Sequence, residues 1–529
     1  HASACNDGNR CPGRRTDRAA AEHPLGLAVH VLAPAEHQHT HQKKRNRILH
    51  AHRQYCLHKP LISFRTLANL GPAGQRGAVQ AAKLGKRVAI VEKQRAVGGV
   101  CLHTGTIPSK TFREAVLSFA NIANGLSNGV SPEEHPPARA SRAKPCAQDL
   151  FGRVETIVDR EITVQDDQLS RNDIDVIVGT ASFADPHTLR IETPDGLRTV
   201  TCENILISVG TRPSPPRDFA IDGQFVINSD EIFNVREIPR SVVVIGCGVI
   251  GIEYASMFAA LGVNVTVVDG RKRPLEFLDS EIIDELVHQM RDKGVLFRLG
   301  ETVEGVDVKH NGRSTVVVSL ASGKRLAADL ALVCAGRVGA TDKLNLEAAE
   351  LEADERGRLI VDENFRTAQP HIFAAGDVIG YPSLAATSSE QGRLAVCAAF
   401  GVNAKPMSKH FPIGVYSVPE VSMVGAPEHE LTEKKIPYET GVARFREIAR
   451  GHILGDNTGF LKLNIHRDDR RVLGVHAIGT GATELIHIGQ CVYAMGGGLD
   501  YFLETVFNYP TLAECYKVAA LDAHNKLLL

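Results

Sequence analysis

Short, nearly continuous apolar runs separated by helix-period stretches are the first pattern in this chain. Arg87 to Val91, Asn204 to Val209, Ser241 to Ile245, Asn264 to Asp269 and Leu330 to Cys334 read as strands. Runs of this kind suit strands of a parallel sheet, which are buried on both faces. Between them, Thr111 to Ala120 and Ile252 to about Leu261 carry helical spacing. Strands alternating with helices predict an α/β fold with parallel sheets. One run fits less well. Leu61 to Ala68 alternates only passably, and Arg65 is costly in a central strand with two buried faces.

Two of the strand-to-helix junctions carry glycine patterns. The sequence Gly246-Cys247-Gly248-Val249-Ile250-Gly251 is an intact GxGxxG between a strand and a helix, and Asp269 ends the next strand, 18 residues beyond Gly251. In such a unit the first glycine makes the tight turn and the second lets backbone approach a pyrophosphate. The third lets helix and strand pack closely, and the acid accepts from a ribose hydroxyl. This is a nicotinamide-dinucleotide site. The other junction, from Asn69, is a degraded version in which Gly71 and Gly74 fill the second and third places. Asn69 holds the first, where asparagine is the best substitute for glycine in a left-handed turn. Glu92 lies 18 residues beyond Gly74, in the place of the ribose acid.

Asp269 favours NAD, because a 2′-phosphate there meets like charge, at about 4 kcal/mol per unit charge at 4 Å and an effective dielectric of 20. Arg271, Lys272 and Arg273 follow directly, and arginine suits phosphate. The site is therefore expected to admit both NAD and NADP, unless the basic residues form only a solvated turn.

At 529 residues the chain predicts several domains, and a formal net charge of −1 gives no sign of nucleic-acid or membrane partners. Eleven cysteines without CxxC pairs support neither a zinc site nor a disulfide framework, so no metal is expected and a reducing, cytoplasmic setting fits best. Residues 1–60 hold nine of the 22 histidines and little hydrophobic periodicity. They are expected to be an irregular leader, disordered or non-native. Residues 124 to 148, rich in Pro, Ser, Gly and charge, read as a loop.

The stretch Gly98-Gly99-Val100-Cys101-Leu102-His103-Thr104-Gly105-Thr106-Ile107-Pro108-Ser109-Lys110 resembles the active-site helix of the lipoamide dehydrogenase and glutathione reductase family. Ala375-Gly376-Asp377 resembles that family's second FAD signature, and Ala335-Gly336-Arg337 its exit from the nicotinamide domain. The resemblance implies two Rossmann-like dinucleotide-binding domains, for FAD and NAD(P), and a C-terminal α/β dimerisation domain. The boundaries it implies are 61–225 and 336–402 for the FAD domain, 226–335 for the NAD(P) domain and 403–529 for dimerisation. It also implies a Lys110–Glu253 ion pair beside the flavin, a flavin cradle that includes Gly98, Gly99 and Cys101, and an Asp377 that binds the ribityl chain.

Two departures direct the functional reading. Thr106 stands where dithiol members have a second cysteine, and a disulfide needs two sulfurs. Tyr509 stands where they have a histidine base, and a phenol titrating near roughly pH 10 is a poor base at neutral pH. Glu514 is retained and is expected to serve packing; His487 is expected in a core or interface. With Phe507 to Thr511 and Ala375 to Ala385, the likeness narrows to the soluble transhydrogenases of the family. It implies FAD-dependent hydride transfer between NADPH and NAD+ and a homo-oligomer. The alternatives are a flavin-dependent diaphorase or oxidase, with Cys101 as a single redox thiol, and a non-catalytic nicotinamide-binding chain whose altered first strand excludes FAD.

Overall fold

In the computed structural model, residues 63–69, 71–123, 146–311 and 313–529 are described. The leader therefore lies outside the described residues, as do 124–145 of the expected loop; Ala147 already opens a helix.

The weak first strand forms. β1 (Ser63–Asn69) pairs in parallel with β2 (Val88–Glu92) on one side and with β6 (Gly196–Ile207) on the other, Leu67 opposite both Ala89 and Ile205. The side chains of β1, Arg65 and Asn69 among them, lie outside the described residues. β3 (Asp175–Val178) extends the parallel edge, while β4 (Thr180–Asp185) and β5 (Thr188–Thr193) run antiparallel beyond β6. The order is β3-β2-β1-β6-β5-β4, with a late strand, Ile372–Ala374, also parallel to β6. Helix α1 (Pro72–Lys83) leads from β1 to β2. A short α2 (Gly99–His103) precedes α3 (Thr106–Ala123), which takes in the whole of Thr106 to Lys110; Pro108 is tolerated because it lies in the first turn. The long α4 (Ala147–Arg171) follows.

After the short β7 (Thr211–Pro213) the second sheet begins. It consists of β8 (Val226–Asn228), β9 (Ser241–Ile245), β10 (Asn264–Asp269), β11 (Leu296–Leu299) and the strand Leu330–Val333, all parallel. β9 lies at its centre, buried from Val242 to Ile245. Helices α5 (Val249–Ala260) and α6 (Ser280–Asp292) pack on it. An antiparallel layer of β12 (Val303–Asn311), β13 (Arg313–Leu320) and β14 (Arg325–Ala328) brings Val316, Val318 and Leu320 against Val226, Val243 and Val268. Past β15 (Leu330–Val333), β16 (Arg337–Gly339) pairs antiparallel with β7, and β17 (Ile372–Ala374) returns the chain to the first sheet.

The last region is an antiparallel sheet in the order β18-β19-β22-β21-β20. Its strands are Ile413–Val415, Val421–Gly425, Val472–Ile478, Phe460–His466 and Tyr438–Arg444. The helix Glu514–Leu527 packs on it.

Candidate functional site

The shape of the cradle expected for a nicotinamide nucleotide follows directly from its glycines. Gly246 has φ 112°, and a Cβ there would lie 2.4 Å from the Cys334 carbonyl oxygen. A Cβ on Gly251 would lie 2.0 Å from the Gly246 carbonyl oxygen, so any side chain would force the turn off the helix. Gly248 caps α5 with no side-chain hydrogen bond, and no acid occupies the first turn. The helix thus presents free backbone donors and a positive dipole end to an anion. Asp269, at the end of β10, accepts from the Cys247 amide at 2.6 Å and from the Arg271 side chain at 3.0 and 2.7 Å. Burial alone would raise its carboxyl, but these hydrogen bonds outweigh burial and hold it well below the usual carboxylate range.

The cradle expected for a flavin, at α1, is built on the same plan. Gly71 caps the helix without a side chain, the first turn holds no acid, and a Cβ on Gly71 would meet only the Ser208 carbonyl oxygen at 3.8 Å. Gly74 is buried inside the helix, and Glu92 ends β2, buried, accepting the Gln94 amide. Gly376 (φ 84°) donates its amide to Gln391 at 2.9 Å and delivers Asp377 beside the cradle. Burial pushes the Asp377 carboxyl up, partly offset by Arg337 and by a hydrogen bond from Thr211. A buried acceptor, a capless helix terminus and a backbone-lined opening fit a dinucleotide with ribityl and ribose hydroxyls. Gly98 (φ 121°) caps α2 and Gly99 (φ 58°) is its first residue; a Cβ on Gly98 would strike Leu102. Gly336 (φ 99°) makes the turn before β16.

The two halves meet at Lys110 and Glu253. α5 is buried almost all round, so Glu253, only 3% exposed, must be compensated. Lys110 Nζ donates to its Oε2 at 2.7 Å and Oε1 at 3.0 Å, and the Tyr416 amide donates to Oε1 at 2.8 Å. Lys110 Nζ also stands 4.9 Å from the centre of the Tyr416 ring. One turn on, the buried Arg113 donates to the Ser417 carbonyl at 3.0 Å and pairs with Glu420 at 2.9 Å. Cys101 is near this pair, and its thiol is pushed up by burial, partly offset by a hydrogen bond with Thr106.

Sequence reasoning missed the contacts that several residues make. Arg337 pairs with Asp230 at 2.9 Å and donates to both Thr211 oxygens at 2.9 Å, tying the two crossover strands together near Asp377. Gly77 and Gly392 set a close helix crossing: a Cβ on Gly392 would lie 2.0 Å from the Ala73 carbonyl oxygen. Both appear in the sequence as unremarked glycines in helical stretches, and only the crossing gives them meaning. His487 is exposed, bonded to Gln490 on its own helix, and not in a core of the single chain. Tyr509 is 73% exposed. Glu514 keeps a buried Oε2 with no hydrogen-bond partner among the described residues.

The pyridine nucleotide-disulphide oxidoreductase profile matches residues 70–392, and the dimerisation domain of the same family matches 411–520. The soluble pyridine nucleotide transhydrogenase of Mycobacterium tuberculosis is 50% identical over 461 residues, 86% of this chain and 96% of that one. Its namesake in Colwellia psychrerythraea is 41% identical over 462 residues, 86% and 97% of the two chains. Among solved structures, the HOCl-induced flavoprotein disulfide reductase RclA from Escherichia coli superposes with a TM-score of 0.78. It is 27% identical, and the match covers 87% of this chain and 99% of that one.

Proposed function

Because this chain belongs to the pyridine nucleotide-disulphide oxidoreductase family, we propose that it is a flavoprotein oxidoreductase that exchanges hydride between NADPH and NAD+. When bound, FAD would supply a two-electron hydride acceptor and donor. The N-terminus of α1, with Gly71 and Gly74, holds the flavin pyrophosphate, while Glu92 and Asp377 accept from its ribose and ribityl hydroxyls. Gly246, Gly248, Gly251 and Asp269 hold either nicotinamide nucleotide. Lys110, fixed by Glu253, keeps a positive charge where negative charge builds up during reduction.

The observation that carries this reading is the state of Cys101. Its thiol is pushed up by burial, partly offset by a hydrogen bond with Thr106, which stands where a second sulfur would be needed. With no second sulfur at position 106, Cys101 cannot form there the disulfide that would carry two electrons onward. In this reading the hydride returns to a second pyridine ring, as the names of the transhydrogenase relatives suggest. The test is FAD-loaded protein supplied with NADPH and thio-NAD+, the product followed at its own absorbance. Rapid thio-NADH formation, with little reduction of lipoamide or glutathione disulfide, is expected; fast disulfide reduction would refute the assignment.

The same reading includes the domain boundaries 61–225, 226–335, 336–402 and 403–529, a cytoplasmic location and a homodimer or larger homo-oligomer. No helix among the described residues is long and apolar enough to cross a membrane. The exposed Tyr381, Val506 and Tyr509, at 77, 91 and 73%, offer apolar surface for a second copy.

A further inference from the structure

The three basic residues after Asp269 have separate fates. Arg273 is tied to α6, donating to Ser280 Oγ at 3.1 Å and Asp284 Oδ1 at 2.5 Å. Lys272 is exposed. Arg271 alone faces the cradle: its Nη2 is the nearest atom, at 3.9 Å, to a Cβ built on Gly248.

In the same conformation Arg271 closes on Asp269. Its Nε donates to Oδ1 at 3.0 Å, its Nη2 to Oδ2 at 2.7 Å and its amide to Oδ1 at 2.8 Å. The Cys247 amide adds a donor to Oδ2 at 2.6 Å. A carboxylate offers roughly four acceptor positions, so these donors fill it. A ribose 2′-hydroxyl has no position on Asp269 until the guanidinium leaves. The side chain of Arg271 is 47% exposed, so it is free to swing away.

We propose that Arg271 is a specificity gate: it competes with the ribose hydroxyl of NAD for Asp269, and on displacement by NADP it becomes the partner of the 2′-phosphate. The inference rests on the reading above that both nucleotides use this cradle. It differs from ordinary phosphate recognition in one respect. A phosphate-binding arginine affects NADP alone, whereas a gate affects the two nucleotides in opposite directions.

The test is calorimetric titration of FAD-loaded protein with 5′-AMP, which keeps the ribose hydroxyl, and with 2′,5′-ADP, which carries the phosphate. Arg271→Ala is expected to tighten 5′-AMP by about two- to fivefold, the scale of one exposed ion pair removed as competitor. It should weaken 2′,5′-ADP by at least about tenfold, the scale of a lost charged hydrogen bond. Asp269→Asn is expected to weaken 5′-AMP and to spare or tighten 2′,5′-ADP. An Arg271→Ala protein whose 5′-AMP affinity is unchanged or weaker overturns the gate, as does an Asp269→Asn protein that binds 5′-AMP normally. Opposite shifts in a protein that transfers no hydride would keep the gate and remove the transhydrogenase reading.

Discussion

Replacing Glu253 by glutamine tests the junction between the two nucleotide cradles with little change of shape. The amide oxygen still accepts the Tyr416 amide, which the carboxylate met at 2.8 Å. The charge that Lys110 met at 2.7 and 3.0 Å is gone, and an NH2 group faces the ammonium in its place. Breaking a fully buried ion pair costs about 3–5 kcal/mol, and an exposed one about 0.2–1 kcal/mol. Glu253 is 4% exposed at its side chain and Lys110 is 26% exposed. Lys110 can therefore turn partly to water, and the expected loss is about 2 kcal/mol, between those limits. Urea unfolding followed by release of flavin fluorescence measures it. The same variant should slow single-turnover flavin reduction by NADPH roughly 10- to 100-fold, somewhat less than the loss of a direct transition-state donor. A Lys110→Met, Glu253→Gln cycle isolates the pair: the second substitution should add little to the first. Unchanged unfolding and unchanged reduction in Glu253→Gln would refute the role given to the pair.

Other consequences are as direct. Gly251→Ala should abolish nicotinamide binding by titration while leaving the flavin spectrum intact, because the added Cβ lies 2.0 Å from the Gly246 carbonyl oxygen. Lys462 is wholly buried and meets Asp279 at 3.0 Å, Glu281 at 2.7 Å and Glu428 at 3.1 Å, so Lys462→Met should lose about 3–5 kcal/mol by leaving Asp279 buried and unpaired. His476 is buried and neutral, its ring pushed by burial from 6.5 down to about 4. The unfolded chain thus binds the proton first, and stability, full above pH 6.5, should fall with pH down to about 4. The steepest slope from this group is about 1.4 kcal/mol per pH unit. A His476→Gln variant in urea unfolding should lack that component.

What could be read in advance was local. The strand, glycines, helix, strand and acid from Ser241 to Asp269 lie within one continuous segment, and each residue type reports a backbone need at its own position. Lys110 and Glu253 are 143 residues apart, so only family likeness joined them. Tyr416, which completes that contact, gave no signal at all. Nothing local to Lys462 in β21 announces its burial; its acids are Asp279 at the cap of α6, Glu281 within α6 and Glu428, and no periodicity reports such long-range charge pairing. The basic run after Asp269 was legible as chemistry and illegible as geometry, since only packing on α6 removes Arg273 from the cradle. β1 forms despite its weak pattern because parallel neighbours on both sides supply the hydrogen bonds its own sequence does not announce.

Arg113 and Lys110 lie one turn apart on α3 and clasp segment 416–420, which also reaches Glu253 through the Tyr416 amide. The first sheet's helix, the second sheet's helix and the C-terminal region are thereby pinned at a single knot. Opening the second domain wholesale, as a jaw, would untie all of those contacts at once. Removing the partner of a buried charge is costly, so hinge opening at this junction is opposed by the buried Glu253 and Arg113 together.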